Sequence, residues 1–161
     1  MNTIFKATKQ LTILVIGLTL SFQSLAEPLV SSEISQAEKV VVEFYNKIFV
    51  QHKGDVRKVA EQLVHKDYIQ HNPWVATGRE AFINAFSRVV KKRSESKRTV
   101  IKRVITSGDY VVLHVHSFDA NKKDPGSAGV DTFRVENGKI MEHWDVWQKI
   151  PEKMPHENGM I

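Results

Sequence analysis

The sequence has 161 residues and a formal net charge of +5, and a chain of this size folds as a single domain around one core. It contains no cysteine, which excludes disulfides, thiolate catalysis and cysteine-ligated zinc. Much of the positive charge lies in the run from Lys91 to Arg98. That run follows a predicted helix and is interrupted by serine and glutamate, so we interpret it as a solvated helix end and loop and expect no nucleic-acid partner.

The N-terminus has the pattern of a secretory signal peptide over residues 1–26. Lys6 and Lys9 form a short positive region before an apolar run that ends near Leu20, and small residues precede the expected cleavage site after Ala26. The apolar run is shorter than the ~20 residues that a transmembrane helix needs. We therefore predict a periplasmic or secreted protein with no stable membrane anchor after cleavage.

Helical patterns fill the first half of the expected mature chain. Ser35 and Glu38 have the spacing of a capping box, and the apolar residues that follow recur at helical spacing up to Ile48. Asp55 is the predicted N-cap of a second, short helix. Thr77 opens another capping-box spacing, which predicts a third helix.

Strand patterns with a period of two fill the second half of the chain. They cover residues 99–106 and 110–118, and a final hairpin spans residues 130–148. Helices followed by strands indicate the α+β class with a mainly antiparallel sheet. We place this domain at residues 27–150, followed by a loose C-terminal tail at 151–161. Three N-terminal helices packed on a curved sheet would enclose one pocket, where functional residues are expected.

The final hairpin has two alternative registers. A two-residue turn at Asn137 and Gly138 would put Asp131 beside Trp144. A three-residue loop with a glycine bulge would put Asp131 opposite His143. We favour the second register. In it, one face of the hairpin carries Asp131, Phe133, Met141, His143, Asp145 and Trp147.

Two further groups of polar residues precede the hairpin. The segment 67–73 is predicted to be irregular, because Pro73 restricts the residue before it, and it carries His71 and Asn72 beside Trp74.

The strand 110–118 has one plain apolar face, and its other face carries His114 and His116 between apolar residues such as Phe118. A mixed face of this kind belongs either to solvent or to the wall of a pocket.

Two motifs of the sequence resemble the SnoaL-like polyketide cyclase family, which belongs to the nuclear transport factor 2-like superfamily. The resemblance covers nearly the whole expected mature chain. The motifs are Tyr68-Ile69-Gln70-His71-Asn72-Pro73 with Gly78, and Asp131-x-Phe133-Arg134 through Gly138-Lys139-Ile140 to Glu142-His143-Trp144-Asp145-Val146-x-Gln148.

The resemblance implies a cone-shaped α+β barrel with a deep pocket, and a homodimer formed through the outer face of the sheet. Better-understood members of the family catalyse an intramolecular aldol ring closure without a cofactor, using an aspartate as general acid and base. We therefore predict a small apolar molecule as the ligand, no cofactor and no bound metal.

Carried over residue by residue, the family's catalytic aspartate matches Asp131, and His114 and His116 match pocket positions on the preceding strand. The steroid isomerases of the superfamily match at Asp131 and Trp147, which is why we favour the bulged register. Their basic aspartate is matched by Asn72. An amide cannot accept a proton at neutral pH, which argues against ketosteroid isomerisation.

The function predicted from the sequence is acid/base chemistry of the aldol cyclase or isomerase type on a small apolar carbonyl compound. Asp131 in an apolar pocket would exchange a proton next to the carbonyl group, and His116 or His71 would donate a hydrogen bond to the enolate oxygen. These three are the predicted catalytic residues. The predicted substrate-binding residues are Tyr45, Asn72, Trp74, His114, Phe118, His143 and Trp147.

Two other functions stay open. Asp131 could merely pair with His143 or with an arginine, and the pocket could then bind a small hydrophobic ligand in the periplasm without catalysis. Alternatively, the outer sheet face could serve an interaction module, with the pocket filled by side chains.

A metal site and a structural role for some acidic residues also have to be weighed. His114 and His116 have the spacing of a cupin metal motif, but the glutamate that the motif requires is missing. Three histidines and a carboxylate could still converge on zinc or iron. We interpret Glu142 and Asp145 as structural partners of His71 or of Arg134.

Overall fold

A computed structural model describes residues 34–52 and 54–161. The predicted signal peptide lies outside the described residues, so export stays a prediction. Within the described part of the chain, no helix is long and apolar enough to cross a membrane.

The three predicted helices are present. Helix α1 spans Gln36–Tyr45 and continues as a π-helical turn over Asn46–Val50. Helix α2 spans Val56–Leu63, and helix α3 spans Arg79–Lys92.

Two of the three predicted helix caps are confirmed. The Ser35 hydroxyl accepts the backbone N–H of Glu38 at 3.1 Å, and the Asp55 carboxylate caps α2. The capping box predicted at Thr77 is wrong, because the N-cap of α3 is Gly78, at a φ of 102° that favours glycine. The Thr77 hydroxyl instead accepts the backbone N–H of Gln70 at 3.3 Å.

The strands form one five-stranded mixed sheet in the order β1-β5-β4-β3-β2. Only β1 and β5 pair in parallel among the described strands. The sheet is not closed, since β1 and β2 are its two edges. The predicted α+β architecture of three helices packed on a sheet is confirmed. The strands are β1 Val64–Gln70, β2 Lys97–Ser107, β3 Tyr110–Asp119, β4 Ser127–Glu136 and β5 Lys139–Lys149.

Strand β1 was not predicted, because segment 67–73 reads as irregular from its own residues. The strand is defined by a partner far along the chain, since Val64 pairs with Ile140 and Ile69 pairs with Glu142. Pro73 restricts itself and the residue before it, so it does not prevent an extended strand from ending at Gln70.

The hairpin between β4 and β5 has neither predicted register over its full length. Its turn is the two-residue alternative, with Asn137 and Gly138 at φ of 51° and 72°, so the three-residue loop that we favoured is wrong. A bulge beyond Arg134 then shifts the pairing and puts Asp131 opposite Asp145. This register differs by two residues from the favoured one, and a shift of two leaves Asp131 and His143 on their predicted face. At the bulge itself, Ile140 is the completely buried residue, although Met141 was predicted on the inner face.

The helices cover the inner face of the sheet and build the core with it. Val111, Leu113 and Val115 of β3 are completely buried on that face. The outer face leaves apolar side chains in solvent, with Ile105 61% and Val146 69% exposed. The predicted homodimer through this face stays a prediction.

Candidate functional site

A cavity of about 260 Å³ lies between the helices and the inner face of the sheet. Its walls are mostly aromatic, and the rings contact one another: the Phe82 and Phe86 ring centroids are 4.5 Å apart and those of Phe44 and Phe82 are 5.5 Å apart. The apolar and aromatic lining is formed by Phe44, Tyr45, Phe49, Tyr68, Phe82, Phe86, Phe133 and Trp147.

Asp131 of β4 lies at the polar wall of this cavity and is 4% exposed. The Tyr45 hydroxyl of α1 donates a hydrogen bond to its Oδ2 at 3.0 Å. The His143 Nε2 atom of β5 lies 3.0 Å from its Oδ1. The buried carboxylate is therefore held from two sides by groups on two other elements.

The neighbours of His143 indicate where its protons are. Gln70 Oε1 accepts the backbone N–H of Asn72 at 3.0 Å, which fixes the orientation of the amide. The same oxygen lies 2.9 Å from His143 Nδ1, so Nδ1 carries a hydrogen. A neutral ring of that tautomer would present only a lone pair to Asp131. We infer that one additional proton lies between His143 and Asp131.

Two tyrosines of the cavity wall are held in the protonated form. Burial raises the pKa of Tyr45, and the nearby Asp131 charge raises it further, so Tyr45 remains a donor to Asp131. Burial also raises the pKa of Tyr68 far above its ordinary value. The Tyr68 hydroxyl accepts from Gln70 Nε2 at 3.0 Å, and among the described residues its own hydrogen has no acceptor. Tyr68 can therefore donate to a ligand oxygen in the cavity.

Asp145 of β5 is the second carboxylate of the cavity wall. The Asn72 Nδ2 atom donates to both of its oxygens, at 2.7 and 2.9 Å. Asn72 Oδ1 accepts the backbone N–H of Trp74 at 2.9 Å, so the amide orientation is again fixed. Asn72 lines the cavity as predicted. The partner predicted for Asp145, His71 or Arg134, is wrong, because Asp145 is bonded to Asn72.

Five of the predicted site residues line the cavity. They are Tyr45, Asn72, Asp131, His143 and Trp147. Trp147 lies at the rim, 43% exposed, where its indole ring packs flat against Gly129 and leaves no room for a Cβ atom at that position.

The predicted placement of His114 and His116 in the pocket is wrong. Both project from the outer face of β3, because the apolar residues alternating with them occupy the inner face beneath the helices. His114 Nδ1 lies 2.7 Å from Arg103 Nη1. His116 Nε2 donates to the Pro125 carbonyl oxygen at 2.7 Å, and Phe118 stacks on its ring at 4.6 Å. Phe118 is therefore also away from the cavity.

The predicted placement of His71 and Trp74 in the pocket is wrong as well. Trp74 is 89% exposed. His71 stacks on Trp144 at 4.6 Å on the outer side of the sheet, and its Nε2 lies 2.8 Å from Glu142 Oε1. Glu142 also accepts a hydrogen bond from Arg134 Nε at 2.9 Å. The structural role interpreted for Glu142 agrees with these contacts.

Replacing Glu142 by glutamine is expected to reduce the decrease in unfolding free energy that the protein shows as the pH falls. Hydrogen bonds from His71 and Arg134 hold the pKa of Glu142 below its usual range. Such a group stabilises the protein above its unfolded-state pKa and ceases to do so as the pH falls through the folded-state value. Between about pH 6 and about pH 3, the wild type should lose roughly 1 kcal/mol more unfolding free energy than the variant. Urea unfolding at a series of pH values measures this.

The matched control for this experiment is Glu152→Gln, on the exposed C-terminal tail. Its stability curve should run parallel to that of the wild type. If the curve of Glu142→Gln were also parallel to the wild type, the ion pairs of Glu142 would contribute nothing to acid stability.

A second polar part of the cavity was not identified from the sequence, because its first residue belongs to the basic run from Lys91 to Arg98, which we interpreted as solvated. Arg93, at the C-cap of α3, lines the cavity together with Thr99 and Ser117. Its Nη2 donates to Thr99 Oγ1 at 2.8 Å, and burial lowers the pKa of its guanidinium group. The run from Lys91 to Arg98 is therefore not uniformly solvated. A basic residue directly after an amphipathic helix, with the next strand close behind, is the signal that could have identified it.

Three side chains of the polar wall have donor atoms that a metal ion could use. Ligand atoms of Asp131, His143 and Asp145 lie within 4.8 Å of one another. This set contains one histidine and two carboxylates, rather than the three histidines considered from the sequence. Each donor already has a hydrogen-bond partner in the protein, so a metal would have to displace those bonds.

Comparison with known proteins identifies the family. A family model described as SnoaL-like polyketide cyclase matches residues 39–152. Among curated proteins, no sequence matches the chain significantly.

Several solved structures share the fold. TsrD from Streptomyces laurentii has a TM-score of 0.55 and 17% identity, over 71% of this chain and 91% of that chain. A nuclear transport factor 2-like protein of unknown function from Mesorhizobium loti has a TM-score of 0.57 and 19% identity, over 70% and 91% of the two chains. A candidate polyketide cyclase from Acidithiobacillus ferrooxidans has a TM-score of 0.57 and 14% identity, over 73% and 91%. At such identities the likeness concerns the fold alone. Since the family model matches more than half of the sequence, the chain belongs to the SnoaL-like polyketide cyclase family.

Proposed function

We propose that the protein is a cofactor-independent acid/base enzyme of the aldol cyclase type, acting on a small apolar carbonyl compound. The observation that carries the proposal is the buried Asp131 carboxylate at the wall of an aromatic cavity, with His143 Nε2 3.0 Å from its Oδ1 atom. A dry site strengthens electrostatic interactions with a developing negative charge. Membership of a cyclase family supports the same reaction type.

The reaction needs one group that takes a proton and returns it. Asp131 removes a proton from the carbon next to the carbonyl group, and the electron pair of that C–H bond forms the enolate. Tyr68 donates a hydrogen bond to the enolate oxygen and keeps its proton throughout. The enolate carbon then attacks a second carbonyl group of the same molecule, and the new alkoxide takes the proton back from Asp131. Protons and electrons balance, so this sequence requires no cofactor.

These roles differ from those predicted from the sequence. His116 and His71, which lie outside the cavity, are replaced by Tyr68 as the donor and by His143 as the partner of the carboxylate. His143 stabilises Asp131 with one ring nitrogen and is oriented by Gln70 through the other. The pair is thus fixed in position before a substrate enters.

A second candidate function is the binding of a small hydrophobic ligand without catalysis. It is favoured by the fact that both oxygens of Asp131 already have partners, Tyr45 and His143. A carboxylate satisfied in this way could serve only to hold the cavity wall together.

Exchange of ketone α-protons in D₂O tests the proposal without knowledge of the natural substrate. The purified protein is incubated with a panel of aryl alkyl ketones and 1,3-diketones, and loss of the α-proton signal is followed by NMR. We expect exchange at least about 10²-fold faster than in buffer alone. Dialysis against EDTA should leave the rate unchanged, because every step uses side chains only.

Two results would contradict the proposal. Ketones that bind tightly but exchange no faster than in buffer would favour the ligand-binding function. A rate that falls after EDTA treatment and returns with zinc would assign the cavity's acid/base chemistry to a metal held by Asp131, His143 and Asp145.

A further inference from the structure

Arg93 is a cation at the cavity wall without an anionic partner. Among the described residues, no salt bridge involves it. Its Nε atom is buried and has no hydrogen-bond partner within the described part of the protein. A partly buried guanidinium group without an anionic partner is costly to hold. Its Nη1 atom makes no hydrogen bond within the described part of the protein and is not buried, so it is the donor left for a ligand in the cavity.

Two hydroxyl groups beside Arg93 could donate hydrogen bonds to a ligand group that binds its guanidinium. Thr99 is 6% exposed and already holds the Arg93 Nη2 atom at 2.8 Å. Ser117 faces the same cavity from the neighbouring strand, since Thr99 and Ser117 are paired across β2 and β3. A guanidinium fork with a hydroxyl group beside it matches the planar, two-oxygen geometry of a carboxylate.

This group is separated from the acid/base pair along the sheet. Asp131 pairs with Leu113 of β3, and Ser117 lies four residues further along the same strand, roughly 13 Å at the rise of an extended chain. Aromatic rings, including Phe133, line the cavity that both groups share. The cavity thus has a cationic end at Arg93 and a carboxylate end at Asp131 and Asp145.

We propose that the ligand of this cavity is an apolar keto acid whose carboxylate is bound by Arg93, with its ketone directed to Asp131. Asp145, which is bonded only as an acceptor by Asn72, repels a ligand carboxylate from the opposite end. The charge distribution therefore selects both the substrate class and its orientation in the cavity. The ketone half of this inference rests on the proposed function, whereas the carboxylate half rests on Arg93 alone.

The test compares acids with their uncharged esters. A series of benzoylalkanoates with about three to seven methylene groups covers the part of this backbone separation that remains once the Arg93 and Asp131 side chains reach into the cavity. The methyl ester of each acid has the same skeleton without the charge. Binding is measured by quenching of tryptophan fluorescence and by calorimetry. We expect the wild type to bind the best acid about 10- to 100-fold more tightly than its ester.

Three variants assign the preference to a residue. Arg93→Gln should weaken binding of the acid to the level of the ester and leave ester binding unchanged. Arg88→Gln, which removes the same charge from an exposed position on the same helix, should bind like the wild type. Arg93→Lys should keep part of the preference, because it retains the charge but loses the planar fork.

Each outcome either supports or overturns the inference. Equal binding of acid and ester by the wild type, or no binding of either, overturns it. Equal weakening of both by Arg93→Gln also overturns it, since Arg93 would then only support the cavity wall.

The proposed function is tested separately with the same compounds. Preferential binding of acids without α-proton exchange would support carboxylate binding by Arg93 and contradict the proposed enzymatic function. Exchange of neutral ketones without a preference for acids would support the enzymatic function and contradict carboxylate binding by Arg93.

Discussion

Replacing Asp131 by asparagine is expected to slow α-proton exchange by about 10²- to 10⁴-fold, the range typical of a lost general base. Asparagine has the same shape but cannot accept the proton. Its amide oxygen can accept from Tyr45, and its NH₂ group can donate to a neutral His143, so the cavity wall should keep its geometry. This variant should therefore lose exchange activity while it keeps the native fold.

The control for this variant is Asp109→Asn, at an exposed position between β2 and β3. It removes the same charge outside the cavity and should exchange at the wild-type rate. Binding of an unreactive ligand to Asp131→Asn should also be retained. Exchange at the wild-type rate in a folded Asp131→Asn would end the role of Asp131 as the base and leave ligand binding as the function.

The sequence was sufficient for those features that depend on neighbouring residues. Ser35 and Asp55 identified two helix starts, because a side-chain oxygen can cap only the turn that follows it. Alternation along the final hairpin placed Asp131 and His143 on one face. That placement was correct although the register was wrong, since an error of two residues does not change the face.

Features that depend on distant pairing could not be predicted in this way. Strand β1 is extended because β5 lies beside it, and nothing in the local residues states this. Its inner side chains include Tyr68 and Gln70, which complete the polar wall. Without β1, the sequence contained no argument for a donor at Tyr68 or for the tautomer of His143.

The inner face of β3 was assigned incorrectly for a different reason. Strand β3 has one apolar face and one mixed face, and we predicted that the histidines of the mixed face line the pocket. The helices instead cover the apolar face, where Leu113 and its neighbours are completely buried. Strand β3 contributes only the Ser117 hydroxyl to the polar lining of the cavity, whose other polar groups come from elsewhere in the fold. A half-polar strand face is thus weak evidence for a pocket when a fully apolar face is available on the same strand.

Replacing His143 by phenylalanine is expected to lower the free energy of unfolding by about 3 kcal/mol, because it removes one partner of a buried, hydrogen-bonded carboxylate. The imidazole ring already packs against Phe133 at 4.7 Å, so an aromatic ring of similar shape should fit. The loss would then come from the Asp131 Oδ1 atom, left without its partner, rather than from a cavity. Urea unfolding at pH 7 measures it, and His156→Phe on the exposed tail is the control.

A double variant tests whether the two side chains share a proton. If the cost of His143→Phe arises from an unpaired charge at Asp131, then Asp131→Asn in the same protein should restore at least about 1 kcal/mol, since a neutral amide is less costly to bury unpaired. Independent residues would give additive losses instead. Additivity would mean that His143 stabilises the cavity by packing alone, and the proton placed between His143 and Asp131 would have to be abandoned. A restored stability, together with slow exchange in both single variants, would show that the group supporting the fold is the same one that carries the chemistry.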